Sequence, residues 1–277
     1  MLSIVILTKN EERDIAGCLD SLRWCDDVHV VDSGSTDATV VLAAARGAHV
    51  LTNPFVSFGQ QRNWSLDHCP LRHDWILFLD ADEQSTDAFK DALLAAIANA
   101  PADVAGYFCC WKLLLEGRWL KHSDAFPRWQ LRLLRKGRAR FVDSGHGQKE
   151  GPVQGSLAYL REPYLHFAYS KGWSDWVAKH NRYSDLEARE RATRPVTWRG
   201  LFHEHSTQRV LVLKALLTRL PFWPALRFFH AYILRLGFLD GPQGLIHCSN
   251  MMLFEYLVTL KFRQLRLDQR KPPPNPS

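Results

Sequence analysis

Four polar clusters in the first third of the chain have residue types and spacing suited to chemistry on an anionic ligand. Asp80-Ala81-Asp82-Glu83 follows the apolar run Trp75–Leu79. In an extended chain residues two apart share a face, so Asp80 and Asp82 can address one point. Two carboxylates at the lip of an apolar strand repel unless a cation neutralises them. Oxygen donors of this kind suit Mn²⁺ or Mg²⁺, which complete their shells with substrate phosphates. The same residues would also serve as an acidic helix start. Asp32-Ser33-Gly34-Ser35-Thr36-Asp37 combines a carboxylate, a turn-permitting glycine and capping hydroxyls, fit for a nucleoside or for a plain capped turn. Thr8-Lys9-Asn10-Glu11 ends an earlier apolar run. Gln60-Gln61-Arg62-Asn63 offers a guanidinium to a diphosphate, or forms a solvated helix face.

The elements that must position these residues are legible from periodicity. Leu2–Thr8, Val28–Asp32, Ala48–Thr52 and Trp75–Asp80 read as strands, continuous apolar runs ending in polar residues. Glu11–Arg23, Ala38–Arg46, Gly59–His68 and Thr86–Ala98 read as helices between and after them. Strands apolar on both faces, alternating with helices, predict an α/β fold with a mostly parallel sheet covered on both sides. Ligands of such sheets bind beyond the carboxyl ends of the strands, where all four clusters fall. From Gly106 the pattern changes to hairpins: Tyr107–Leu115 with Arg118–Lys121, and Trp129–Leu134 with Arg138–Val142. Gly172–Arg194 predicts a long amphipathic helix ending before Pro195, and residues 201–267 two or three apolar, basic helices. The expected organisation is a catalytic domain over 1–194, with a donor half 1–100 and an acceptor half 101–194. A basic helical subdomain follows over 195–270, and the proline-rich residues 271–277 read as a disordered tail.

The 277 residues are 46% hydrophobic and 23% charged, ordinary for a globular protein with a sizeable core. The chain opens directly on a strand pattern rather than a secretion signal. Six scattered cysteines without metal or C-x-x-C spacing imply free thiols in a reducing compartment, hence a cytoplasmic address. The net charge is +6, and residues 201–277 hold ten Lys/Arg against four Asp/Glu, so the excess is concentrated there. Those basic residues are interleaved with aliphatics and no nucleic-acid-binding module is recognisable, which disfavours nucleic acid as partner.

Thr8–Glu11, Val31–Asp37, Gln61–Asn63 and Phe78–Glu83 resemble the successive signatures of family-2 glycosyltransferases, with a looser likeness through Phe126–Leu134. The branch they look most like comprises bacterial lipopolysaccharide-core and exopolysaccharide sugar transferases. The resemblance implies the GT-A fold, a nucleotide-diphosphate sugar donor with a UDP-sugar favoured, a divalent ion, and inversion at the anomeric carbon. It would set Thr8, Asn10, Glu11, Asp32 and Ser35 around the nucleoside, Arg62 by the diphosphate, Asp80 by the ribose and metal, and Asp82 on the metal. The chain lacks the Gln-x-x-Arg-Trp sequence of processive synthases, which implies addition of one sugar per encounter.

Inversion also needs a carboxylate to take the acceptor proton. Asp143–Glu150 is the polar, glycine-rich segment best suited to supply it, with Glu150 first and Asp143 second; the alternative is that either is a solvated loop charge. The branch carries a His-Glu pair near here. This chain departs from it, with Lys149 before Glu150 and the histidine earlier at His146. His146, Trp129 and Gln130 are candidates for the acceptor, and His166 for a late ligand to the metal or diphosphate. Over Trp223–Leu236, Arg227, His230 and Arg235 fall in one arc of an otherwise apolar helix, which suits an interfacial helix on anionic lipid or a dimer interface. Leu245–Leu260 is too short and too polar to span. The expected role is peripheral, at the inner face of the cytoplasmic membrane, on a glycan or lipid-linked acceptor. Two rival readings are a sugar nucleotidyltransferase, whose Gly-rich loop after the first strand is missing, and a nucleotide-sugar-binding protein without turnover.

Overall fold

The computed structural model describes residues 2–145, 147–193 and 206–269. His146, the break at Pro195 and the tail 271–277 lie outside the described residues. Strands β1 (Leu2–Thr8), β2 (Val28–Asp32), β3 (His49–Thr52) and β4 (Trp75–Asp80) alternate with helices α1 (Ile15–Asp20), α2 (Thr39–Ala45) and α3 (Phe58–His68). Then come β5 (Glu83–Gln84), α4 (Asp87–Ala98), β6 (Val104–Leu115), β7 (Arg118–Trp119), β8 (Trp129–Arg135), β9 (Ala139–Ser144), β10 (Gly147–Val153) and β11 (Ser156–His166). The main sheet runs β3-β2-β1-β4-β8-β6-β11-β5, with β7 paired to β6. β8 and β5 run against the other main strands and the rest are parallel, so the sheet is mixed but mostly parallel, as expected.

Strict alternation along the central strands builds two cores. Leu2, Ile4 and Ile6 with Trp75, Leu77 and Leu79 face Ile15, Leu19, Phe89 and Leu93 of the α1–α4 side. Val5, Leu7, Ile76 and Phe78 face the other way, toward Phe58, Trp64 and Phe141. A strand buried on both faces has no polar side to offer, so its ligand-facing residues can only be its last ones.

Two strand pairings differ from the sequence expectation. Trp129–Arg135 does not form a hairpin with the strand after Lys136-Gly137. It inserts between β4 and β6 in the main sheet, and β9 pairs with β10 in a separate two-stranded ribbon. The reason is burial: Leu131, Leu133 and Leu134 are all nearly inaccessible, and a two-stranded ribbon could not have enclosed them.

Asp27, which begins the turn into β2, is 1% exposed and ties three segments together. It accepts from Ser3 Oγ (2.5 Å), the Arg72 backbone N–H (2.9 Å), Arg72 Nε (3.0 Å) and the His29 ring (2.9 Å). Burial pushes its carboxyl up, but the bonds from Ser3 and Arg72 outweigh this and hold it well below the usual carboxylate range. A depressed folded-state pKa contributes stability above the unfolded value of about 3.9 and loses it as the pH falls. Asp27→Asn is therefore expected to cost about 2–4 kcal/mol at neutral pH. The gap from the parent in urea midpoints should narrow as the pH drops below about 4; a gap independent of pH would contradict the ionic role.

The C-terminal helices are α5 (Trp173–Thr193), α6 (Ser206–Leu217), α7 (Trp223–Phe229) and α8 (Gly241–Asp268). A π-helical turn (His230–Leu234) and a 3₁₀ turn (Gly237–Asp240) join α7 to α8. Among the described residues no helix is long and apolar enough to cross a membrane. Glu255 of α8, nearly buried, receives Arg191 of α5 (3.0 Å), Trp223 Nε1 (3.1 Å) and Arg227. Arg227 therefore turns inward to a buried carboxylate instead of joining His230 and Arg235 on an outer basic arc. An arc drawn from helical periodicity cannot anticipate a buried acid on a neighbouring helix.

Candidate active site

Thr8, Asp32, Asp80 and His166 end β1, β2, β4 and β11 at the same edge of the sheet. β8 is antiparallel, so it begins there, which brings Trp129 and Gln130 to the same edge. The parallel register sets Thr8 opposite Asp32, and Thr8 Oγ1 donates to Asp32 Oδ1 at 3.1 Å. Asp32 also accepts from Ser35 Oγ (2.5 Å) and from the backbone N–H groups of Gly34 and Ser35 (2.9 and 2.8 Å). Both of its oxygens thus organise the turn, where Gly34 takes φ +83°. Asn10, itself at φ +55°, locks the two loops together: its N–H donates to Ser35 Oγ and its side-chain oxygen accepts from Thr36 N, each at 2.8 Å.

Asp80 continues the Ile76–Phe78 face toward α3. Arg62, 1% exposed, lies over the Phe78 and Phe141 rings and donates to Asp80 Oδ1 at 3.0 Å. The other oxygen, Oδ2, receives Arg132 at 2.8 Å, and the same Arg132 nitrogen reaches Glu83 Oε1 at 2.6 Å. Arg132 Nε donates to Tyr164 OH at 3.2 Å. Burial pushes the Asp80 carboxyl up, but Arg132 and Arg62 outweigh it and hold it below the usual range. Glu83 is pushed up by burial and by the adjacent Asp80 charge. Arg62 and Arg132 each retain one buried NH1 with no hydrogen-bond partner among the described residues. With the Gln148 amide oxygen turned toward its donors, it accepts from Arg62 (3.1 Å) and from Gln130 (2.8 Å). That bond links the β9–β10 ribbon to the arginine.

The carboxylate left open at this corner is Asp82. Its Oδ2 lies 3.4 Å from His166 Nε2. Burial raises the Asp82 carboxyl, but His166 outweighs it and sets it at about 2; burial lowers the His166 imidazole, but Asp82 outweighs it and moves it up. His166 Nδ1 is buried without a partner among the described residues. Among the described residues no group of three or more His, Cys, Asp or Glu side chains converges on one point. Glu11 stands nearby: its pKa is raised to about 7, first by burial and then by Asp82. One of its oxygens accepts from Lys171 Nζ (2.5 Å), and the other is buried and unpartnered. Lys179 of α5 is half-buried in the field of Asp82 and Glu11. Burial lowers its ammonium, but those carboxylates outweigh this and raise it.

Of the acceptor-side candidates, Asp143 accepts from Ser57 Oγ (2.7 Å) and Gly59 N (3.0 Å), capping the start of α3. The two segments approach closely at position 59, where a Cβ would lie 2.7 Å from Asp143 Oδ1 and displace it. Glu150 is exposed, opposite Phe141 in the ribbon as Gln148 is opposite Asp143. All four share one face. Trp129 is half-buried and packs edge-on against Tyr159 with centroids 4.9 Å apart.

Arg132, Lys171, Lys179 and Gln148 escaped the sequence reading, and Glu83 was read only as part of its acidic cluster, without a partner. Arg132 had a signal, as a lone cation in the apolar run Leu131–Leu134. Its direction did not, because it is the extra residue of a bulge: Tyr107 pairs with Leu133 and Phe108 with Leu131. Bulges redirect side chains and break the alternation on which sequence reading depends.

Comparison with known proteins identifies relatives of the chain. The chain is 25% identical over 277 residues to the lipopolysaccharide core biosynthesis glycosyltransferase LpsC of Rhizobium meliloti, covering 98% of this chain and 95% of that protein. It is 29% identical over 280 residues to an uncharacterized glycosyltransferase of Rickettsia felis, covering 96% and 89%. Among solved structures it is similar to glucosyl-3-phosphoglycerate synthase from Mycobacterium tuberculosis. One match, to the complex with Mn²⁺, UDP and phosphoglyceric acid, has 17% identity and a TM-score of 0.46 over 68% of this chain and 76% of that one. Another, to the complex with Mn²⁺, UDP-glucose and glycerol 3-phosphate, has 26% identity and a TM-score of 0.34 over 43% of this chain and 45% of that one. The family model described as glycosyl transferase family 2 matches residues 3–164, more than half of the chain. The chain therefore belongs to glycosyl transferase family 2 and is a glycosyltransferase.

Proposed function

We propose that this protein transfers one sugar, with inversion, from a nucleotide-diphosphate sugar to a hydroxyl of a cell-envelope glycan or glycolipid, in a reaction that depends on a divalent metal. The observation that carries this reading is the edge where Asp82 faces His166 beside the buried Arg62–Asp80–Arg132–Glu83 cluster. The near end-to-end likeness to a lipopolysaccharide core glycosyltransferase supports the envelope role. A UDP-sugar is the favoured donor.

Asp82 and His166 fit Mn²⁺, or Mg²⁺ less readily because of the imidazole. Held by these two side chains, such an ion would leave positions for diphosphate oxygens and water. When bound, it stabilises the negative charge of the departing diphosphate. Asp80 spends both oxygens on guanidinium groups, so in this reading it fixes Arg62 rather than binding the ion. Arg62 presents its unpaired NH1 to the diphosphate, and Lys171 and Lys179 add positive charge on the far side. The Thr8–Glu11 and Asp32–Ser35 loops hold the nucleoside, mainly through the shape that Asp32 and Asn10 impose. Trp129 and Gln130 flank the acceptor sugar, with His146 a third candidate for it. The acceptor oxygen bonds to the anomeric carbon as the bond to the diphosphate breaks, and a carboxylate takes its proton. Glu150 suits this role better than Asp143, whose oxygens are held by the α3 start. The basic excess of the C-terminal region supports work at the cytoplasmic face of a membrane.

The reading is tested by nucleoside diphosphate release from UDP-, GDP-, ADP- and dTDP-sugars with Mn²⁺, Mg²⁺ or chelator. Metal-dependent release from one donor is expected. No release and no nucleotide binding would refute the donor site. With an active acceptor, Glu150→Gln should lower transfer by about 100-fold or more while donor affinity holds. Asp143→Asn should instead lower the melting temperature; the reverse pattern would move the base to Asp143.

A further inference from the structure

We propose that α7 and the two turns after it form a docking surface for an anionic lipid bilayer, and that they hold the acceptor side of the cleft against it. Phe222, Leu226, Phe229 and Ile233 recur at helical spacing and are 41–55% exposed. On the opposite side Pro224 is buried and Arg227 is bound to Glu255. The outer stripe therefore has no partner among the described residues. Beyond it Leu234 (63% exposed), Leu236, Phe238 and Leu239 extend the apolar surface around the turn. Leu236 holds φ +62°, a left-handed conformation that a bulky side chain avoids. The fold accepts this strain in a turn whose leucines and phenylalanine all face solvent, and strain of this kind collects at binding surfaces.

Charge selects the occupant. Residues 206–269 carry eight Lys/Arg against three Asp/Glu; of the acids Asp240 and Glu255 are buried, and of the cations Arg227 is held by Glu255. His230 and Arg235 sit exposed within the apolar stretch. An apolar face mixed with cations is the composition of helices lying in an anionic lipid interface. A second copy of the chain would bring like charges together.

The surface is fastened to the acceptor side of the catalytic domain. Asp240, at the end of the turn, accepts from Ser123 N and Ser123 Oγ (2.7 Å each) and from His122 N (3.0 Å). Arg118 donates to Leu239 O at 2.9 Å, and Gln243 to Glu116 at 3.1 Å. The segment 116–124 leads directly into β8, which begins with Trp129 and Gln130. Docking would thus present that edge to a lipid-anchored acceptor. This last clause rests on the glycosyltransfer reading, whereas the docking surface does not.

The test is sedimentation of the full-length protein with vesicles of equal parts phosphatidylcholine and phosphatidylglycerol, and with phosphatidylcholine alone. The protein should bind the anionic vesicles, and high salt should weaken binding. The double variant Phe229→Asp, Leu234→Asp should bind at least tenfold more weakly while keeping its nucleotide affinity and melting temperature. Arg235→Gln should reduce binding to the anionic vesicles only. Failure of the parent to bind, or unchanged binding by the double variant, would overturn the proposal. So would a parent dimer that the double variant dissolves, which would assign the face to a second copy. Since vesicle binding needs no donor turnover, its outcome is separable from that of the donor panel.

Discussion

Asp82→Asn is expected to lower metal-dependent release of nucleoside diphosphate by at least about a hundredfold, with little change in melting temperature. Asp82 forms the open corner of the site: it is 15% exposed, and His166 stands 3.4 Å away. An amide keeps the shape of the side chain but offers a metal one neutral oxygen in place of a charged carboxylate. In the proposed site nucleotide affinity without metal draws on Arg62 and the two loops, so it should change by far less than the rate. Isothermal titration with UDP, with and without Mn²⁺, separates the two effects. There is also a proton signature. Asp82 raises the His166 imidazole above its ordinary value, and an imidazole must be neutral to ligate a metal. Mn²⁺ affinity should therefore rise with pH through the histidine's titration and release a proton. Equal metal dependence in Asp82→Asn and the parent would remove Asp82 from the metal site.

The second large effect is on stability. Arg132→Met is expected to cost about 3–5 kcal/mol, the usual consequence of removing one partner of a buried ion pair. Arg132 is 2% exposed and is the shared counter-charge of Asp80 and Glu83. Without it the wholly buried Glu83 and its neighbour repel across a few ångströms, and the Tyr164 hydroxyl loses its donor. Arg132→Met combined with Glu83→Gln should recover part of the loss, since the amide carries no charge to strand. Urea denaturation of both variants makes the comparison. A single variant as stable as the parent, or a double variant no better than the single, would show that the cluster is not coupled as described. Arg62→Met, by contrast, should leave Arg132 to neutralise Asp80 and affect diphosphate binding more than stability.

The parallel half of the sheet is legible in the sequence because each part of it is local. Its strands are short, apolar on both faces and end in polar residues, so periodicity alone located β1, β2 and β4. The rule that ligands sit beyond strand ends then selected Thr8, Asp32 and Asp80. The spacing of Asp80 and Asp82 was legible in the same way, but their separate partners were not. Arg62 and Arg132 come from positions 18 and 52 residues away along the chain and consume both Asp80 oxygens.

What the sequence by itself determined is the parallel half-sheet, the order of its polar ends, and the family these imply. Hydrophobic period and turn chemistry act over a few residues and write themselves into the local pattern. Tertiary structure alone decided that β8 enters the sheet while β9 turns away to pair with β10. It also decided that a bulge aims Arg132 at Asp80, that Lys171 reaches Glu11 from 160 residues away, and that Arg227 turns from the surface to Glu255. Each of these is a choice of partner between distant segments. Such choices are settled by which charges and side chains must be buried together, a condition that exists only once the whole chain has packed.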